Sequence, residues 1–301
     1  MRYQVPEELD GERVDKAVAV LAGISRSLAR EIMDSGGLVG GGDLGLGPSD
    51  RVSSGDWLEF EVPEPAPLLE PHPVEYRTVH IDDDVIVVSK PAGLTVHPGA
   101  GTDAETLAAG LLFDHPELEG VGQPGRWGIV HRLDRATSGL MAVARTPDSY
   151  EALSTMMRAR SVGRAYVALV QGILAIPRGT VDAPIGPDPN RPTRRALSPI
   201  GKRAVTHYRR RSQWTGPGVA MLDVTLETGR THQIRVHLAG IGHPVLGDRV
   251  YGSKDPVVVP RLALHATRLE FEHPVSGAAM SFTEPLPDDL AAVVETLGEP
   301  D

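Results

Sequence analysis

The chain has 301 residues, 41% of them hydrophobic, which is long for one domain and comfortable for two. Cysteine is absent, which excludes disulfides and thiolate metal sites. The formal net charge is −10, yet residues 1–75 carry 15 acids and 6 bases while residues 76–301 carry 25 and 24, so the acidity does not exclude a polyanionic partner for the larger part.

The first residues, MRYQVPEELDGE, show no cationic-then-apolar signal, and the run from Ala17 to Ile24 is too short to span a bilayer. A cytoplasmic protein without a membrane partner is expected. Val14, Ala17, Val18 and Leu21 fall at helical spacing, and Ser25 or Ser27 can cap a second helix running to about Asp34. Val52 to Val62 reads as a short strand pair. Between them the glycines at 36, 37, 40–42, 45 and 47 predict a loose hairpin, because fixing glycine costs backbone entropy. Residues 63–73, PEPAPLLEPHP, hold five prolines and read as a stiff linker. The expected organisation is therefore a small, acidic α/β domain over 1–62, a linker over 63–73 and a larger domain over 74–301.

In the larger domain Val85 to Val88 reads as a buried strand ending at Lys90-Pro91-Ala92-Gly93, followed by Leu94-Thr95-Val96-His97-Pro98-Gly99. His97 reads as a substrate contact or as a histidine that structures the turn. Residues 103–114 suit a helix. Ile129 and Val130 read as the end of a buried strand, and Leu140 to Ala144 as the next. Between these lies His131-Arg132-Leu133-Asp134-Arg135-Ala136-Thr137-Ser138-Gly139, a polar loop with one acid between two arginines. Positive charge on both sides favours the carboxylate form, and a loop braced by two strands is where sites are commonly built. A solvated surface turn has the same composition.

Residues 148–160 read as an amphipathic helix and 163–170, GRAYVALV, as a strand. Residues 190–222 contain no acid and eight bases, Arg191, Arg194, Arg195, Lys202, Arg203, Arg209, Arg210 and Arg211, a pattern suited to a loop and hairpin lying on phosphates. Val219 to Glu227 alternates as a half-buried strand, and Thr228-Gly229-Arg230 turns it into a helix over 231–240. His232 and His237 invite a metal reading, but an i, i+5 pair diverges around a helix and no third ligand is evident. Leu262 to Phe271 reads as a strand and 287–297 as a terminal helix. Strands dominate without a regular βαβ rhythm, so an α+β fold is expected, with a mixed, largely antiparallel sheet whose cleft holds Asp134.

Three stretches, KPAGLTVHPG, HRLDRATSGL and LETGRTHQIRVHL, together with R-x-Y-x-A at 164–168, resemble the RluA-type pseudouridine synthases. The resemblance covers about residues 74–285. It implies isomerisation of uridine to pseudouridine in RNA, with no cofactor and no metal. It implies Asp134 as the catalytic acid, Tyr166 beside the target base, Arg230 as the partner of Asp134, and Arg132 filling the space that a flipped base leaves. KPAGLTVHPGAG and PIGKRAVTHYR look most like RluD-type enzymes, which implies large-subunit (23S) rRNA or the pre-ribosomal subunit as partner. More weakly, residues 10–62 resemble the small RNA-binding domain named after a ribosomal small-subunit protein, with Arg26 and Arg30 at its RNA-facing positions; the usual Val-x-Val-Asn-Gly turn is replaced by glycines. Arg191, Arg194, Arg195, Lys202 and Arg203 complete the expected RNA contacts. A non-catalytic RNA-binding or ribosome-assembly protein on the same fold and a metal-dependent phosphoesterase using Asp134 and His237 are the competing readings. Aromatic residues make up only 4%, which argues for a monomer over a large stacked interface.

Overall fold

The computed structural model describes residues 2–24, 26–34, 38–40, 46–61, 69–98, 105–189, 191–252 and 254–301. The chain divides into two compact units, 1–68 and 69–301. The glycines at 41–45 and the start of the expected linker fall outside the described residues. Leu69, within that expected linker, is buried in the core of the second unit.

The first unit contains β1 (Arg2–Gln4), α1 (Val14–Ala22), α2 (Arg26–Asp34), β2 (Leu38–Gly40) and β3 (Trp57–Phe60). Val14, Ala17 and Val18 of α1 recur at helical spacing and meet Ala29, Ile32 and Met33 of α2 and Leu58 and Phe60 of β3 in one core. The described residues 52–61 do not form a strand pair. They supply a single strand, β3, which pairs antiparallel with β1 on one side and β2 on the other. Neither partner is local to that stretch. In the first turn of α1, Asp15 is buried, and Arg13, Arg26 and Arg30 converge on its carboxylate at 3.1, 2.8 and 3.2 Å. These pairings, the one with Arg13 first, draw the Asp15 carboxyl down to about 2.

The second unit follows with β4 (Arg77–Ile81), β5 (Val85–Lys90), α3 (Leu107–Asp114), β6 (Ser138–Ala144), α4 (Pro147–Ala159), β7 (Gly163–Gln171), β8 (Arg178–Asp182), β9 (Ile185–Asp188), β10 (Arg191–Leu197), β11 (Val205–Trp214), β12 (Val219–Leu226), α5 (Gln233–Gly240), β13 (Leu264–Glu272), β14 (Ala279–Thr283) and α6 (Asp288–Leu297). One mixed sheet runs in the order β4-β5-β6-β13-β7-β12-β11-β8, with β14 on β13, and only the β6–β13 pairing is parallel. β9 and β10 form a separate hairpin.

Local chemistry starts and stops these elements. Thr106 caps α3 by accepting from the Ala109 N–H at 3.2 Å. Thr146 and Ser149 form a reciprocal box at the start of α4, with Pro147 at a position whose N–H needs no partner. Ile86, Val88, Met141 and Val143 point to one side of the sheet and pack with Leu107 and Leu111 of α3. Val85, Val87, Leu140 and Ala142 point to the other and pack with Leu153 of α4. That double burial explains why these strands read as continuous apolar runs. β12 is likewise buried on both faces from Val219 to Leu222, so its apparent alternation did not mean one wet face. Ile129 and Val130 do not end a strand: Ile129 makes an isolated bridge to Val143 and the chain leaves at once as a loop. At Gly139 the backbone has φ +117, and a Cβ there would lie 2.2 Å from the Ala266 carbonyl oxygen. Only glycine lets β6 approach β13 so closely. Among the described residues no helix is long and apolar enough to cross a membrane.

Candidate active site

The turn before β6, the first half of β7 and the turn after β12 enclose a cleft of about 670 Å³. Asp134 stands on its floor with its side chain 18% exposed. The turn that presents it is closed by the Thr137 N–H donating to the Asp134 carbonyl at 3.0 Å. Behind the turn, Arg135 and Gly93 exchange hydrogen bonds of 2.8 Å through backbone and side chain. Lys90 is fully buried, and its ammonium donates to the carbonyls of Pro91, Leu94 and Arg135 at 2.8, 2.9 and 3.3 Å. Three acceptors match the three donors of a charged lysine. Burial opposes that charge and draws Lys90 down to about 7, with the Asp134 charge acting the other way. His131 accepts from the Ala142 N–H through Nε2 at 2.9 Å, which leaves its proton on Nδ1. Burial, helped by Arg164, pushes this imidazole down to about 3, so His131 pins the loop as a neutral ring.

The arginine paired with Asp134 is Arg235, not Arg230. Arg235 Nη1 lies 3.4 Å from Asp134 Oδ2, and Asp134 Oδ1 accepts no hydrogen bond from the described residues. The opposite edge of the same guanidinium grips Asp248, Nε to Oδ2 at 2.7 Å and Nη2 to Oδ1 at 2.9 Å, while its face lies over Tyr251 at 5.1 Å. Asp248 Oδ1 also accepts from the backbone N–H groups of Val250 and Tyr251. Burial raises the Asp248 carboxyl, but the Arg235 pairing and the backbone donors outweigh it and leave it below its ordinary value. The helix explains the exchange of arginines. It begins at Gln233 after His232, which sits in the left-handed region at φ 59, so Arg230 precedes the helix and stays on the rim. There its Nε donates to the Arg203 carbonyl at 3.1 Å. Arg235 lies in the first helical turn and reaches back to the floor. Gln233 fixes the turn by accepting from Thr228 Oγ1 and the Arg230 N–H and donating to the Val205 carbonyl.

Tyr166 lines the cleft from β7, with its ring among core residues and only 6% exposed, and burial raises its phenol above the ordinary value. Arg132 is exposed at the cleft and meets His97 Nε2 at 2.9 Å, while His97 Nδ1 faces the Pro98 carbonyl at 3.1 Å. Arg126, Arg132, Arg158, Arg160, Arg164, Arg230 and Arg235 line the cleft against two acids, Asp134 and Glu227. That excess favours a polyanion.

The other expected contacts disperse. Arg191 and Lys202 are exposed on the β9–β10 hairpin and its following turn. Arg194 is half-buried, bonded to the Val250 carbonyl and lying over Tyr251 at 5.1 Å, so it braces the wall of the site. Arg195 donates its backbone N–H to the Tyr251 hydroxyl. Arg203 lies 3.6 Å from both Asp182 and Glu227, and Arg209 and Arg211 pair with Asp223. Arg26 and Arg30 belong to the first unit and engage Asp15. Arg235, Asp248, Lys90 and Arg164 were not singled out from sequence. The Q-I-R step after TGR and the lone acid in GDRVYG were the available signals.

The metal reading of His232 and His237 fails on hydrogen bonding. His237 is fully buried, with Nδ1 2.9 Å from Thr206 Oγ1 and Nε2 3.0 Å from the Ala183 carbonyl. His232 Nδ1 meets the Tyr251 hydroxyl. Among the described residues Asp82, Asp84 and His273 have metal-like spacing, away from the cleft. His273 Nδ1 accepts from the Val275 and Ser276 N–H groups, which leaves a proton on the Nε2 that faces Asp82.

A family model described as RNA pseudouridylate synthase matches residues 84–240, from β5 to the end of α5. The chain belongs to this family. The matched segment contains Lys90, Asp134, Arg164, Tyr166 and Arg235, and Asp248 lies just beyond it. A protein of Xanthomonas campestris named ribosomal large subunit pseudouridine synthase D is 40% identical over 98% of this chain and 92% of its own length. An uncharacterised RNA pseudouridine synthase of Mycobacterium bovis is 40% identical over 97% of this chain and 96% of its own. Among solved structures, human RNA pseudouridylate synthase domain containing 4 superposes with a TM-score of 0.59 at 25% identity, covering 75% of this chain and 95% of that one. The chain is accordingly an RNA-directed isomerase on a pseudouridine synthase fold with a mixed sheet.

Proposed function

We propose that this chain converts uridine to pseudouridine in large-subunit (23S) ribosomal RNA, as a cytoplasmic monomer, with Asp134 as the acting carboxylate. The observation that carries the reading is the state of Asp134. One oxygen is held by a buried arginine, the other accepts no hydrogen bond from the described residues, and both lie in an arginine-lined cleft beside a tyrosine.

The reaction breaks the bond between ribose C1′ and base N1, turns the base, and forms a bond from C1′ to C5. N1 gains a proton and C5 loses one to water, so atoms and electrons balance without an oxidant. The target must first leave its stack, at a cost of a few kcal/mol. Tyr166 offers a flat face for the extruded base, and Arg132, which lines the cleft, is assigned to fill the space that the base leaves. Oδ1 of Asp134 meets the nucleotide as nucleophile or as the base that removes a ribose proton; both roles need an ionised oxygen aimed by its neighbour. Arg235 does the aiming, and Asp248 holds Arg235. In the first unit, the Arg13–Arg26–Arg30 group around Asp15 is a second RNA contact, in keeping with the resemblance of that unit to a small ribosomal-protein RNA-binding domain.

The test is tritium release from large-subunit rRNA transcripts labelled at C5 of uridine, with chelator present. Wild type releases tritium, and Asp134→Asn binds the RNA and releases none. Undiminished release by Asp134→Asn would remove the acid's role. RNA binding without release, on transcripts and on immature subunits alike, would favour a non-catalytic RNA-binding protein. Removing residues 1–68 lowers RNA affinity if the first unit is the second contact; unchanged affinity would refute that part.

A further inference from the structure

Two features stand side by side in the cleft wall. The side chain of Arg164 has neither a hydrogen bond nor an ion pair with any described residue, and its Nε is buried without a partner. The two acids of the cleft are committed elsewhere: Asp134 to Arg235, and Glu227 to His207, Arg203 and Arg160 at 2.9, 3.6 and 3.8 Å. His131, whose imidazole the Arg164 charge helps to keep unprotonated, is neutral. An uncompensated, half-buried guanidinium is costly unless a ligand completes it. The second feature is Gly229. A Cβ at this residue would lie 2.8 Å from Arg164 Nη1, so the arginine head crosses the space that glycine leaves open. Gly229 is not in the left-handed region, so its backbone does not itself require glycine.

Arg164 and Tyr166 are alternate residues of β7 and both line the cleft, as the strand period requires. Alternate side chains on one strand face stand about 7 Å apart, of the order that separates a base from the phosphate of its own nucleotide. We infer that Arg164, with Gly229 clearing its path, is the subsite for an RNA backbone phosphate adjoining the base held at Tyr166. The inference rests on the RNA-modifying reading but reads out separately. A guanidinium with several open N–H groups suits a phosphate, which it contacts through two oxygens at once.

The experiment measures affinity of the full-length protein for the C5-labelled rRNA transcript between 50 and 200 mM salt, for wild type, Arg164→Gln, Arg164→Lys and Gly229→Ala. Losing one phosphate contact to unpaired RNA makes the slope of log affinity against log salt shallower by about 0.7. Over this fourfold range wild type therefore loses about 2.6 times more affinity than Arg164→Gln. Arg164→Lys keeps the slope. Gly229→Ala retains every charge, pushes the guanidinium aside, and shows the shallow slope of Arg164→Gln with a raised KM and an unchanged kcat. A wild-type slope in both Arg164→Gln and Gly229→Ala, or a fall in kcat alone, would overturn the proposal and make Arg164 a positioning residue. If Arg164→Gln is insoluble, Gly229→Ala decides. Absence of tritium release by wild type would count against the synthase reading while the salt slopes still judged the phosphate subsite.

Discussion

Replacing Asp248 by asparagine isolates the part of the site that acts at a distance. Asp248 touches no atom of Asp134, yet it holds two of the three nitrogens of the arginine that does. Its side chain is fully buried and that of Arg235 is 7% exposed. Removing one partner of such a pair leaves an uncompensated charge in the interior, which costs about 3–5 kcal/mol. Asparagine keeps an acceptor for the backbone N–H groups of Val250 and Tyr251, so the lower end, about 3 kcal/mol, is expected. For a unit of this size each kcal/mol moves the melting temperature by about 2–4 °C, giving a fall of roughly 6–12 °C. A charge-assisted hydrogen bond is worth about 1.5–3 kcal/mol, so misaligning Arg235 against Asp134 lowers kcat by about ten- to a hundredfold. KM stays near the wild-type value, because the substitution leaves the other cleft arginines in place. Calorimetry gives the first number and tritium release from C5-labelled rRNA transcript the second. A melting temperature within about 2 °C of wild type together with unchanged kcat would refute the claim that the Asp248–Arg235–Asp134 chain orients the acid.

Three further outcomes follow from the same structure. Gly139→Ala drives a Cβ into the Ala266 backbone at a φ of +117, so the protein should lose more than about 3 kcal/mol or fail to fold, which expression and calorimetry show at once. Lys90→Met strips donors from three carbonyls, at about 1–3 kcal/mol for each acceptor left buried and unpaired. In wild type Lys90 titrates near 7 when folded and near its ordinary 10.5 when unfolded, so between those values the unfolded chain holds the extra proton and stability rises with pH. Chemical denaturation at pH 7 and pH 9 should show that rise in wild type and not in Lys90→Met. Asp15 titrates near 2 in the folded first unit against 3.8 unfolded, so its contribution is present above about pH 4 and lost as pH falls through 2. In Asp15→Asn, hydrogen exchange of α1 and α2 between pH 5 and 2 should show none of that acid loss.

The elements whose signals act over a few residues were readable before the fold was known. β5 and β6 announce themselves as apolar runs, α4 by its helical spacing, and the Asp134 loop by its one acid among arginines and by the motif around it. These depend on turns, caps and side-chain period, which neighbouring residues settle among themselves. What the tertiary structure decided involves partners far along the chain. Whether Ile129 continues as strand or leaves as loop depends on how Gly128 and Ile129 meet β6. Which of two arginines, five positions apart in one motif, reaches Asp134 depends on where α5 starts, and that is set by Gln233 bonding to Val205 and Thr206, 28 and 27 residues away. The Arg235–Asp134 contact itself joins residues 101 positions apart, and Asp248 enters from beyond the helix. Local sequence therefore singled out Asp134 and Tyr166, which the fold brings to one cleft, and its motifs carried the resemblance to the family, because each is a residue type in a local frame. The packing of the sheet selected the residues that aim that acid, because aiming is a distance between strands and helices that no local pattern encodes.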